Sequence, residues 1–582
     1  MLRSLRAFAV FIFIATSAHA TDTNWIEESN KHAQVMLDLL AKYAPESAAS
    51  LGVEGHDADV FDLNPDLVAR NVKDLDQAIA ELQRRRASVQ DVRVQQDIDI
   101  LLTAARNQRE TVLLNDQYML PFFDLGRSVY SGFQNLLDPR VAKDRYPAAL
   151  KRLHRYIGAE KGYQPITKLA RDRYEEKASD PKKLGPWTVE AKQYLDNQAR
   201  YMDGIEALLK KSGLKGWQSD LKTLRKQFDA YGKWVRETVL PRARQSSQLP
   251  EPIYADNLKN YGVVANPRDL MREALGSFVL TRSQLESLAQ DYAKQHQLAS
   301  SDYHDVIREL KKQTIPNDRL LDLYTARLGE IEKIVQREHI VSLPTRKAVI
   351  RLGTEAESAA IPAPHIDPPR LIGNRGEPAE FVLPTSNPNA SGAPMDDFNY
   401  DGITWTLTAH EARPGHELQF ATMLEHGVSI ARVIFAFNSA NVEGWALYAE
   451  GVMKQYLPIE GQIGSLQMRL MREARAFLDP MLNLGMIQPD AAKKFLMDEV
   501  VLSEPMAKQE VDRYTFDSPG QATAYFYGFN QLNALRMKVE LAQAGKFDEQ
   551  SYHDFVMSQG LLPFDLLDKA VMEQYVHGST SK

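Results

Sequence analysis

Apolar residues return at helical spacing through the first half of this chain. Val72, Leu75, Ile79 and Leu82 fall three or four positions apart with charges between them, and the same period runs through residues 35–43 and 221–239. Side chains at that spacing share one face of a helix, so each segment buries its stripe only by packing against others like it. Strand-like alternation is scarce from Asn24 to about Arg337. The spacing predicts a mainly α protein, punctuated by short turns at Lys211-Ser212-Gly213 and Asn266-Pro267.

The pattern changes after Ser342. Between there and Tyr400 lie Pro364, Pro368, Pro369, Pro378 and Pro384, so no long helix fits. Residues 347–352 and 380–383 predict short strands, hence a small sheet with loops. From Ile403 the helical pattern resumes. One helix is predicted from Ile403 to Glu425, stopping at Gly427, and another from Asn441 to Tyr456, stopping before Pro458. Further helices are predicted over 465–478, 489–499 and 521–544. With 582 residues, 44% of them hydrophobic, the chain can build a large core. The expectation is one large helical domain over 21–582. It comprises a helical half (21–341), the Pro/Gly-rich strand-loop segment (342–400) and a second helical half (401–582).

Residues 1–20 are of another kind. Arg3 and Arg6 precede the apolar stretch Ala7 to Ala15, and Ala18-His19-Ala20 gives the small-x-small cleavage pattern. This predicts a signal peptide removed after Ala20 and a periplasmic or secreted mature chain, with no membrane partner afterwards. The apolar run is short for the ~30 Å hydrocarbon layer. The chain has no cysteine, which excludes disulfides, thiol nucleophiles and thiolate metal sites. Its formal charge is -7, and the densest basic run, Arg84 to Arg86, sits inside an amphipathic helical pattern. That reads as a solvated face and argues against a nucleic-acid partner.

Chemistry concentrates in Thr408-Ala409-His410-Glu411-Ala412-Arg413-Pro414-Gly415-His416. The segment resembles the H-E-x-x-H zinc motif with Pro414 and Gly415 added before the second histidine. In the parent motif two histidines four apart on one helix face bind zinc, and the glutamate takes a proton from the attacking water. Six residues of regular helix set His410 and His416 about 120° apart and about 9 Å along the axis. Pro414 removes a helical donor and collides with the carbonyl of residue 410, while Gly415 tolerates unusual dihedrals. The expectation is a local bulge that brings both imidazoles to one metal. The plainer alternative is two surface or core histidines.

A second segment, Asn441 to Glu450, carries Val442, Trp445, Ala446 and Ala449 on one apolar face with Glu443 at its border. Two histidine ligands on one helix need a carboxylate from another, and Glu443 suits that role. An acid favoured by the helix dipole is the alternative. Glu450, two turns on, either holds a ligand histidine by a hydrogen bond or forms a solvated pair with Lys454. Its spacing favours the pair.

Glu443-Gly444-Trp445-Ala446 with Tyr448 and Glu450 resembles the N-E-G-F-A-x-x-x-E segment of the gluzincin aminopeptidases, whose first glutamate is the third zinc ligand. Taken with H-E-A-R-P-G-H-E-L-Q and a later S-P-G-Q-A-T-A-Y-F-Y-G, the chain more closely resembles the large bacterial family known only as domain of unknown function 885, which is grouped with the zincin-like peptidases. The strongest motifs span His410 to Gly528. The resemblance implies a large multi-helix zincin-like peptidase fold, export, and zinc held by His410, His416 and Glu443, with Glu411 as general base. It also implies an oxyanion donor, Tyr525 first and His553 second. Arg513 or Arg536 would then take a peptide carboxylate, because guanidinium matches that group bidentately. Core tyrosines and structural ion pairs are the plain readings of these residues. There is one departure. Relatives carry an Asp-x-Gly-x-His element where residues 478–485 read Leu-Asp-Pro-Met-Leu-Asn-Leu-Gly, so substrate specificity need not follow theirs.

The expected function is an exported zinc metallopeptidase acting on a peptide aligned by an edge strand from 342–400. A zinc-dependent hydrolase of a non-peptide amide or ester would use the same residues. A helical binding protein with a structural metal would keep the ligands without turnover.

Overall fold

Thirteen helices named here build the first part of the chain in the computed structural model, which describes residues 24–354, 357–358, 361, 363–385 and 395–578. They are α1 (Asn24–Tyr43), α2 (Pro45–Leu51), α3 (Leu67–Ser88), α4 (Val92–Tyr118), α5 (Leu125–Leu136), α6 (Ala148–Tyr156), α7 (Ile166–Lys177), α8 (Thr188–Ser212), α9 (Gln218–Trp234), α10 (Glu251–Asn260), α11 (Pro267–His296), α12 (Tyr303–Lys311) and α13 (Asn317–Arg337). The signal-peptide segment lies outside the described residues. α1 turns in Ala33, Met36, Leu37 and Ala41; of the stripe expected on α3, Leu75 and Leu82 are buried and Val72 and Ile79 half-buried, with Ala78 buried beside them. On the other side of α3, Arg84 and Arg85 pair with Glu81 and Arg86 with Asp99. At Asn266 the predicted break is a cap, the side chain accepting the N–H of Arg268.

A three-stranded sheet follows, β1 (Val349–Leu352), β2 (His365–Asp367) and β3 (Glu380–Leu383), in the order β1-β3-β2. β1 runs parallel to β3 and β2 antiparallel to it, so β2 is an edge strand. Sequence spacing anticipates β1 and β3 but not β2. Pro364 and Pro368 bracket it, and proline cannot donate to a ladder, so its three residues read as loop.

The remaining helices are α14 (Asp401–Leu407), α15 (His416–His426), α16 (Ser439–Met453), α17 (Ile459–Asn483), α18 (Pro489–Glu499), α19 (Glu504–Asp512), α20 (Ala524–Gln543), α21 (Glu549–Ser558) and α22 (Phe564–Ala570). The single helix expected over 403–425 is corrected here: α14 passes into one wider π turn at Thr408–Ala412, the chain leaves the helix at Arg413, and α15 starts at His416. α17 packs along α11, and α16 packs along α20. Both α16 and α17 are buried on nearly every side, which carries Glu450, Arg472, Glu473, Arg475 and Asp479 into the interior. Buried charges persist only when met by partners. Among the described residues, no helix is long and apolar enough to cross a membrane.

Candidate metal centre

The break between α14 and α15 is fixed from outside. Arg413 donates to Glu417 at 2.6 Å, to Glu332 on α13 at 2.7 Å and to the carbonyl of Arg346 at 2.6 Å. Trp445 Nε1 on α16 donates to the carbonyl of Pro414 at 2.9 Å. Gly415 is required by contact: a Cβ there would lie 1.8 Å from the carbonyl oxygen of His410. Together the π turn and the break replace the 120° separation of a straight helix. The His410 and His416 rings lie 4.8 Å apart, centre to centre, and nearly perpendicular.

Glu443 on α16 completes the group. Its Oε2 lies 3.5 Å from His410 Nε2 and 3.3 Å from His416 Nε2. The three donor atoms all lie within 4.8 Å of one another. Tetrahedral coordination with zinc–ligand bonds of about 2.1 Å separates its ligand atoms by roughly 3.4 Å, so the spacing fits one such ion. Glu443 Oε2 is buried without a directed hydrogen bond, as an atom reserved for a cation would be. Burial works against ionised Glu443, but the two imidazoles outweigh it and hold its carboxyl well below the usual range. His410 shows the mirror effect: burial pulls it down, Glu443 and Glu450 pull harder, and it rises to about 9. A cation arriving here would displace that proton.

Glu450 is fully enclosed, 2% exposed. It accepts from His410 Nδ1 at 2.6 Å and from Thr406 at 2.6 Å, and Arg472 lies 3.3 Å away. The solvated pair with Lys454 favoured by sequence spacing is therefore corrected. The reason is that α16 is buried all round and leaves no solvated face at Glu450. His416 differs from His410: its Nδ1 is buried with no partner among the described residues.

Glu411 is 9% exposed and lines the same cavity of about 820 Å³ as the three donors. Its carboxylate has no hydrogen-bond partner among the described residues. Tyr525 lines the cavity too, its ring stacked 6.3 Å from His410 and its hydroxyl accepting from Arg513 at 2.9 Å. Arg475, Arg513 and Arg472 surround the Tyr525 ring at 4.5, 5.3 and 5.8 Å. Arg513 also donates to Gln521 of the S-P-G-Q turn.

Arg536 and His553 are placed elsewhere, and neither lines that cavity. Arg536 donates to Glu540, Glu549 and the Tyr448 oxygen. Tyr448 lies 2.8 Å from His553 Nε2, and His553 Nδ1 lies 2.7 Å from the carbonyl of Ile340. With Nδ1–H donating to that carbonyl, Nε2 accepts from Tyr448, and every polar atom of the histidine is spent inside the core. Sequence spacing missed Arg472, Arg475 and Asp479, because lone charges on an apolar helix carry no motif. Asp479, in the departed element, accepts the N–H of Gly520 and the hydroxyl of Tyr254, fixing the turn before Tyr525.

Fold and site together define a mainly helical protein with a His-His-Glu trio, its histidines buried and its glutamate half-buried, at the wall of a large cavity. The chain belongs to the family described as "Bacterial protein of unknown function (DUF885)", which matches residues 45–571. No curated protein matches it. Two solved structures, each described as a "putative lipoprotein", share its fold. The one from Shewanella oneidensis, "of unknown function", is 18% identical with a TM-score of 0.72, covering 94% of this chain and 99% of that one. The one from Colwellia psychrerythraea is 18% identical with a TM-score of 0.74, covering 95% and 100%.

Proposed function

We propose that the protein is an exported, zinc-dependent metallopeptidase of zincin-like type. The observation that carries the reading is the convergence of His410, His416 and Glu443 donor atoms beside the unpartnered carboxylate of Glu411. When bound, zinc supplies Lewis acidity, polarising the scissile carbonyl and making water acidic near neutral pH. Glu411 takes the proton of the attacking water and passes it to the leaving amine. The Tyr525 hydroxyl, polarised by Arg513, donates to the oxyanion as it develops. Arg513 is also the arginine suited to a peptide carboxylate. β2 is an edge strand, and its His365 and Ile366 line the cavity, so its free backbone groups suit an extended peptide.

Export rests on the predicted signal peptide and on the description of the two fold neighbours. This chain has no cysteine to carry a lipid on sulfur. Metal analysis of the purified mature protein, followed by digestion of a peptide library with and without chelator, tests the whole reading. One equivalent of zinc and chelator-sensitive cleavage are expected. Stoichiometric zinc with turnover only of non-peptide amides or esters would replace the substrate class. Zinc without any turnover would leave a structural metal.

A further inference from the structure

A second cavity, about 280 Å³, opens off the metal-site cavity where α5 and α8 face the π turn Arg513–Asp517. The two cavities share Arg127, Gln193, Asn197, Arg200 and Asp517, which therefore form the mouth between them. There Arg127 lies 3.3 Å from Asp517, and Arg200 donates to Asn197 at 3.1 Å. Beyond the mouth the lining changes character. It holds five aromatic rings, those of Phe122, Tyr130, Tyr194, Tyr201 and Phe516, and no lysine, arginine or histidine. Its charged groups are two carboxylates, Asp124 and Glu190.

Both acids are half-buried, and neither forms an ion pair among the described residues. Glu190 Oε2 accepts the N–H of Trp187 at 3.0 Å where α8 starts, and Oε1 accepts no hydrogen bond among the described residues. Asp124 Oδ1 accepts the N–H of Arg127 at 3.0 Å where α5 starts. Burial raises Glu190 to about 7; Asp517 and Asp124 add to the rise, and the Trp187 N–H and the distant Arg244 only temper it. Burial raises Asp124 too, against the pull of the Arg127 N–H and guanidinium. The arginines within reach thus leave both carboxylates short of positive charge.

A separate observation marks the space as one for an occupant. Tyr130 is 4% exposed and lines the pocket, yet its hydroxyl makes no hydrogen bond among the described residues. A polar group so deeply buried is normally paired. Aromatic rings draw cations to their faces, and the apolar stem of a basic side chain packs against them. A neutral group would leave both acids unmet, and an anion would be repelled by them.

We propose that this pocket receives a cationic group of the peptide substrate, an ammonium or guanidinium, held by Asp124 and Glu190 and by the aromatic walls. The inference deepens the metallopeptidase reading and rests on it, because the mouth opens onto the metal centre. The cation comes from a basic side chain or from the free amino terminus.

The test measures binding without turnover, so its failure is separate from a failure of the metallopeptidase reading. Calorimetry on the mature chain carrying Glu411→Gln uses alanine pentapeptides with lysine or norleucine at the central position, each with a free and with an acetylated amino terminus. A cationic peptide should bind about tenfold or more tighter than its neutral counterpart. A gain from lysine in the acetylated pair assigns the pocket to a side chain. A gain from the free amine in the norleucine pair assigns it to the terminus. Glu190→Gln and Asp124→Asn keep an acceptor for the N–H groups that start α8 and α5, and each should cut the preference several-fold. Tyr201→Leu, at a half-buried ring, should cut it as well and serves where either of the others fails to fold. Equal binding of all four peptides by the parent chain would overturn the assignment. So would a cationic preference that these variants leave undiminished.

Discussion

Glu450 accepts the Nδ1–H of His410 at 2.6 Å, from the same helix that presents Glu443 to the Nε2 side of that ring. One helix therefore fixes both nitrogens. Holding the proton on Nδ1 leaves Nε2 its lone pair, and an ionised partner strengthens that donor. Arg472 and Thr406 keep Glu450 charged where no water reaches it. Glu450→Gln should weaken zinc binding about 10–100-fold, measured by competition with a chromogenic chelator. Unchanged affinity would mean that His410 does not bind metal through Nε2.

Glu411 touches the cavity and none of the three donors needs it for its own hydrogen bonds. Glu411→Gln should retain stoichiometric zinc and lose about 10²–10⁴-fold in turnover. His410→Ala should lose both zinc and turnover. Metal content and initial rates measured on the same preparations separate the two roles. Full activity in Glu411→Gln would remove it as the base.

Tyr525→Phe keeps the ring that three guanidiniums surround and removes only the hydroxyl. The expected loss is about 10²–10³ in kcat with KM little changed, and a melting temperature close to that of the parent. A fall in melting temperature with kcat intact would return Tyr525 to a packing role.

Gly415→Ala sets a methyl group against the carbonyl of His410, and neither side of that contact is a flexible side-chain tip. Overpacking of this kind costs about 1–3 kcal/mol. Here relief requires moving His410, so zinc affinity should fall tenfold or more while helix content by circular dichroism stays unchanged.

His553 makes a pH prediction. Burial lowers its pKa to about 4, with Arg536 adding to the effect and the Ile340 carbonyl opposing it. An unfolded histidine titrates near about 6.5. Above that pH neither state carries the proton, and the contribution to stability is complete. As pH falls from 6.5 towards 4 only the unfolded chain takes up the proton, and about 3 kcal/mol is lost. His553→Asn, which keeps a donor for Ile340, should show a shallower decline in melting temperature over that interval. Parallel curves would show that His553 does not titrate as stated.

The helices of the first half were legible because their stripes are regular: Leu75 and Leu82 are buried, and Val72 and Ile79 half-buried, on one side of α3. The His410, His416 and Glu443 cluster was legible as residue types. Its geometry was not, because it depends on a π turn and on Trp445 reaching back to Pro414, a contact between residues 31 apart. Glu450 was misread for a related reason. Local spacing offers it Lys454, and only the packing of α17 and α20 around α16 removes that option. Arg536 and His553 lie apart from the cavity, held by partners, Tyr448 and Ile340, that come from distant parts of the chain.

Gly444 and Gly528 meet where α16 crosses α20: a Cβ on Gly444 would lie 2.6 Å from the Gly528 Cα, and one on Gly528 would lie 1.9 Å from the oxygen of Ala440. Neither residue lines the metal-site cavity, yet no larger amino acid can take its place without parting the helices. Descent from a common ancestor should therefore preserve these two silent letters as strictly as the reactive ones. A relative that has lost either would have had to rebuild the crossing.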